Sequence, residues 1–175
     1  MHDLIEQLEP LIPALRGYAR ALLRDPHEAD DLVQDCLERA IARWSRRREA
    51  ASTRSWVFAI AHNLAMDVLR RRQRRGHGLV PEEADQPEAR IEAPQEDHMR
   101  ALELQRAYER LSEEQRSVLY LVTVQDMPYA EVAALLGIPL GTVMSRLSRA
   151  RARLLDALDG SPRPSTTTAA LRRIK

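Results

Sequence analysis

The chain has 175 residues, 44% of them hydrophobic and 30% charged, which is enough for one ordinary domain or two small ones and too short for an elaborate enzyme. Aromatic residues make up only 4% and glycines number 6, while Ala, Leu, Arg and Glu dominate, so an all-α protein is expected. A single cysteine, Cys36, excludes an internal disulfide framework, and the formal net charge of +1 hides a marked separation of charge along the chain.

The first predicted element, residues 4–23, carries Leu4, Ile5, Leu8, Leu11, Ile12, Leu15, Ala19, Leu22 and Leu23 close to helical spacing, and Pro10 and Pro13 should split or kink it. The second helix has an explicit start: Asp25 as N-cap, Pro26 in the first turn and Glu28 at the third position. Its apolar face is read as Ala29, Leu32, Val33, Cys36, Leu37, Ala40, Ile41 and Trp44, and its opposite face carries Asp30, Asp31, Gln34, Asp35 and Glu38. Cys36 falls on the apolar side without a His or Lys at i±4, which reads as a small buried hydrophobe and not a reactive thiol.

Residues 45–55 lack periodicity and hold Arg46, Arg47, Arg48 and Arg54, the pattern of a basic loop. A third long helix follows from Thr53 or Ser55, with Val57, Ile60, Ala61, Leu64 and Val68 inward and Arg70, Arg71, Arg72, Arg74 and Arg75 at its end. Arginines there suit the helix dipole, but capping does not require five of them. Trp44 and Trp56 read as core aromatics.

From residue 76 to 99 glycine, proline and acids (Glu82, Glu83, Asp85, Glu88, Glu92, Glu96, Asp97) replace any apolar period, so a flexible acidic linker is expected. Beyond it a helix over 98–110 leads to a capping box made by Ser112 and Gln115, then a helix with Val118, Leu119, Leu121 and Val122. A turn at 125–128 precedes a short helix with Val132 and Leu136, and Gly137 and Pro139 precede a last helix with Val143, Leu147, Ala150 and Leu154. The expected organisation is a helical unit over 1–75, a linker over 76–99, a second helical unit over 100–159 and a mobile tail over 160–175.

Residues 129–151, YAEVAALLGIPLGTVMSRLSRAR, have the anatomy of a helix-turn-helix, with Ala133 and Ala134 permitting close helix approach and Gly137 a positive φ at the turn. Tyr129, Thr142, Met144, Ser145, Arg146, Ser148 and Arg149 lie off the apolar stripe and are the candidate base and phosphate contacts. The segment GTVMSRLSRAR resembles the σ4 domain of extracytoplasmic-function (ECF) sigma factors, HEADDLVQDCLERA over 27–40 resembles the family's σ2 core-binding helix, and 53–75 its −10-reading segment. This resemblance implies two small helical domains, σ2-like and σ4-like, and a protein that binds core RNA polymerase and directs promoter-specific initiation. It implies that Asp31, Gln34 and Asp35 meet the polymerase β′ clamp helices, with σ4 at the β flap. It further implies that Arg46, Arg47, Arg48, Arg54, Asn63, Arg70, Arg71, Arg72 and Arg74 serve the −10 region, Asn63 with the basic loop capturing a flipped base, and that the second helix of the helix-turn-helix reads the −35 region. An anti-sigma factor is an implied partner, and stress or envelope response an implied setting. Pro128 and Met144 depart from the family pattern, the former where Ser or Thr is common and the latter where Lys or Arg is common.

No catalytic constellation, zinc-ligand spacing or phosphate loop is present, so no enzyme activity, cofactor or metal is expected. No run approaches the roughly 18 apolar residues of a membrane span, and a soluble bacterial cytoplasmic protein without membrane insertion is expected. Two other readings stand beside this one: a sigma-like mimic that sequesters an anti-sigma factor, which should lose its DNA-contacting residues, and a helix-turn-helix repressor, which would need a dimerisation or ligand domain in place of residues 4–75.

Overall fold

The computed structural model describes residues 2–46, 52–76 and 95–158. Most of the expected linker and all of the expected tail lie outside these residues. Among the described residues the chain is helical and contains no strand.

Helix α1 (His2–Leu8) ends in a short 3-10 turn (Glu9–Leu11) that accommodates Pro10, and α2 (Ile12–Leu23) takes Pro13 into its first turn, where no internal hydrogen bond is lost. The expected split at the prolines is therefore present. Arg24 closes α2 in the left-handed region, at φ 61. One residue later the Asp25 carboxylate accepts the Glu28 N–H at 2.9 Å and starts α3 (Pro26–Ala42). A 3-10 turn (Trp44–Arg46) follows, and α4 (Thr53–Arg74) completes a bundle around Leu15, Leu22, Leu32, Cys36, Val57, Phe58 and Leu64. Cys36 is buried, its thiol set against the Val57 carbonyl at 3.5 Å and pushed up to about 12 by burial. Trp44 and Trp56 meet edge to face, 6.1 Å apart, on the rim of this core.

In the second half α5 (Gln95–Glu109) is already helical at Gln95, ahead of the start expected near His98. The capping box is formed: Ser112 Oγ accepts the Gln115 N–H, and Gln115 Oε1 accepts the Ser112 N–H at 3.2 Å, opening α6 (Glu113–Thr123). Helix α7 (Tyr129–Leu136) stops at Gly137, whose φ of 65 few side-chain-bearing residues adopt, and α8 (Leu140–Leu158) buries Val143, Leu147 and Ala150.

The two halves share one core. Helix α6 packs on α2 and α7 packs on α4. Tyr18, wholly buried, lies 5.5 Å from Phe58 on its own side and 5.5 Å from Tyr120 of the other half. Tyr120 reaches across α2 to donate to the Ala14 carbonyl at 3.3 Å, passing over Gly17, where a β-carbon would overlap its hydroxyl.

Candidate nucleic-acid and polymerase interfaces

The acidic face of α3 is turned outward. Asp31, Gln34 and Asp35 are exposed, with Gln34 donating to Glu38 at 3.1 Å, whereas Asp30 is engaged by Arg16 at 2.8 Å. Asp31 and Asp35 form one wall of a groove whose floor includes Leu32, Leu64 and Val68 and whose other wall is Arg71, Arg72 and Arg75 of α4. Acidic and basic strips thus run side by side with apolar surface between them.

The arginine run of α4 divides into different duties. Arg72 is structural: it donates to the Leu23 carbonyl at 2.9 Å and pairs with Glu28, tying the end of α4 to the α2–α3 corner. Arg70 pairs with Asp67 at 2.6 Å, and this hydrogen bond holds the Asp67 carboxyl below its ordinary range. Arg71 and Arg74 are exposed. Asn63, also exposed, shares a helical stripe with Asp67, Arg70 and Arg74 at steps of four, three and four. Arg47 and Arg48 lie outside the described residues, and Arg46 ends the 3-10 turn after α3. Arg54 faces the other half of the molecule and donates to both the main-chain oxygen of Gln125 and its side-chain oxygen, the latter at 2.8 Å, while the neighbouring Ser55 bonds Glu131.

In the helix-turn-helix, α8 also sorts its polar residues. Arg146 turns toward α6 and pairs with Glu114 at 3.4 Å, and Arg153 donates to Gln115 at 2.8 Å. Ser145 bonds the Thr142 carbonyl of its own helix at 3.1 Å. Met144, Ser148 and Arg149 point outward. Tyr129, Met144, Ser148, Arg151 and Leu155 line a shallow open groove along α8. Arg151 and Leu155 were not singled out by sequence, although their spacing of seven and eleven from Met144 puts them on its face.

Between the halves sits a buried polar cluster that the sequence did not reveal. The Tyr18 hydroxyl meets His62 Nδ1 at 2.9 Å, and burial pushes Tyr18 well above its ordinary range. His62 is lowered to about 4, first by burial and then by the nearby Arg146 and Arg70 guanidinium groups. Arg116, on the same face of α6 as Tyr120, is almost fully buried. Its Nε and one terminal nitrogen have no hydrogen-bond partner, while the other terminal nitrogen lies 3.5 Å from Glu113. Burial, with Arg24 beside it, lowers its affinity for the proton. Among the described residues no cluster of side chains could hold a metal ion, and no single helix is long and apolar enough to cross a membrane.

Two family models match the chain: residues 8–62 match the sigma2 domain of PhyR, and residues 101–154 match sigma-70, region 4. The chain is 34% identical over 146 residues to the ECF RNA polymerase sigma factor EcfG of Rhodopseudomonas palustris, covering 82% of this chain and 78% of that one. It is 38% identical over 140 residues to the ECF RNA polymerase sigma factor SigM of Mycobacterium tuberculosis, covering 80% and 69%. Its fold matches that of the sigma factor RpoE of Bartonella quintana, solved in complex with the anti-sigma factor NepR, with a TM-score of 0.77 at 30% identity over 91% of this chain and 98% of that one. Both halves, in this order, have their counterparts in these relatives, and the chain belongs to the ECF RNA polymerase sigma factor family.

Proposed function

We propose that this sigma factor docks on core RNA polymerase through the outward acidic face of α3, with Asp31, Gln34 and Asp35 against the β′ clamp helices and the second half at the β flap. The exposed stripe of α4 then serves the −10 region. Asn63 offers a donor and an acceptor to the Watson–Crick edge of an unstacked base, in company with Arg46, Arg47 and Arg48, while Arg70, Arg71 and Arg74 meet phosphates. Helix α8 enters the major groove at the −35 region with Met144, Ser148 and Arg149 outward. The observation that carries this reading is the separation of surfaces on the first half: an uncovered acidic face on α3 and an uncovered Asn-Arg stripe on α4, so that polymerase and DNA can be held at once.

The two halves serve as separate domains in this scheme, and Arg54 must leave Gln125 before it can reach DNA. An anti-sigma factor as partner is supported by the complex in which the RpoE relative was solved, and one that held the two halves together would keep the chain off polymerase. Run-off transcription with purified core enzyme and the full chain tests the whole scheme. Stimulation from a subset of genomic promoters is expected, and no stimulation from any would overturn it. Asn63→Ala should reduce −10 selectivity at least several-fold while core binding is retained; equal loss of both refutes the role given to Asn63.

The family model matched by the first half is described as the sigma2 domain of PhyR, which favours the mimic as a second reading. A mimic would capture an anti-sigma factor yet direct no transcription, so the same run-off assay separates the two.

A further inference from the structure

Helix α8 contains a glycine for which the fold supplies no reason. Gly141 lies in the first turn, its φ is outside the left-handed region, and a β-carbon added there would meet nothing within 4 Å. Glycine costs a helix up to about 1 kcal/mol relative to alanine, near its end less than in its middle, and here no packing within the chain offsets that cost. An unused gap on an exposed helix face is explained when another surface must come close to the backbone. One turn further along the same face stands Met144, 53% exposed, followed by Ser148 and Arg151 around the open groove beside Tyr129.

The chemistry of Met144 narrows what that other surface presents. A thioether donates no hydrogen bond, so set against guanine it would leave the N7 and O6 acceptors stripped of water and unpaired. Its flexible apolar arm finds a good partner in only one major-groove edge, the C5-methyl group of thymine. Arg146, whose guanidinium could otherwise make a bidentate contact with guanine, is instead turned inward to Glu114. We propose that Met144 determines specificity in the upstream promoter element by packing on a thymine methyl, the bare first turn at Gly141 letting α8 sink far enough into the groove for it to arrive. This rests on the reading of α8 as the −35-reading helix.

The test uses holoenzyme assembled from core polymerase and the full chain, with promoters selected from a library randomised across the upstream element. One strongly thymine-preferring position is expected. Replacing that thymine by uracil, which lacks only the methyl group, should weaken holoenzyme binding about fourfold, the worth of one buried methyl. Met144→Ala should bind the thymine and uracil promoters equally, and Met144→Lys should move the preference at that position toward guanine. Because Met144 is largely exposed, thermal melts of both variants should match the parent chain. A selected element whose every thymine tolerates uracil overturns this inference and leaves the promoter reading standing; no selected element at all overturns both. If Met144→Lys leaves the base preference unchanged but abolishes capture by an anti-sigma factor, this face docks protein and the inference is likewise overturned.

Discussion

His62 shows how the burial of one side chain can make the fold sensitive to pH. In the unfolded chain it titrates near its ordinary value, whereas in the fold its pKa is lowered to about 4, so the unfolded state binds the extra proton first. The stability it contributes is complete above about pH 6.5 and is lost as pH falls toward 4. The Tyr18 hydroxyl bonds its ring, and the Arg146 and Arg70 guanidiniums nearby oppose a cationic imidazole. Urea melts at pH 7 and pH 5 should differ by about 2 kcal/mol through this group. His62→Gln, which keeps an acceptor for Tyr18 but cannot titrate, should flatten that slope; an unchanged slope would remove His62 from the account. Burial, and not sequence position, creates this behaviour. A lone histidine in a helical stretch carries no sign of it.

At the scale of elements, the caps are where sequence and structure agree most closely, because an N-cap is a local device complete within four residues. Asp25 with Glu28 and Ser112 with Gln115 are formed as their spacing predicts. Gln115 does more than its motif implies, since its side-chain oxygen also accepts Arg153 of α8. Ser112→Ala should therefore cost about 1 kcal/mol in a thermal or urea melt, and Gln115→Ala about twice that, because a cap and a tether between α6 and α8 are lost together. Equal costs would mean that the tether contributes nothing. What sequence did not disclose follows the same logic of distance. The Arg54–Gln125 and Tyr18–Tyr120 contacts join residues far apart in the chain, and nothing in either local pattern names the other member. The arginine run of α4 was legible as a basic surface, but periodicity could not tell that Arg72 is occupied with Glu28 while Arg74 is free to the solvent.

For the whole molecule the decisive question is how firmly the halves hold each other. Gly17 is the point of closest passage, and only its missing side chain lets the Tyr120 hydroxyl reach α2. Gly17→Ala should favour separation, seen as a larger radius of gyration in small-angle scattering, even though alanine improves the helix itself. Adding Tyr120→Phe removes the atom in the way and should restore compactness; if the double variant is as expanded as the single one, the passage at Gly17 is not what governs closure. Arg116 works in the opposite direction. A guanidinium buried with two nitrogens unpaired, beside the like charge of Arg24, makes the closed molecule less favourable than its apolar contacts alone would. Arg116→Met should raise the melting temperature, by several degrees if about 1 kcal/mol is recovered, and should at the same time slow the delivery of active holoenzyme in a stopped-flow promoter-opening assay. The half-satisfied guanidinium then acts as a trade between durability and responsiveness: the chain gives up thermal resistance to remain a clasp that undoes readily, and a variant hardened against heat would be slower to answer a signal.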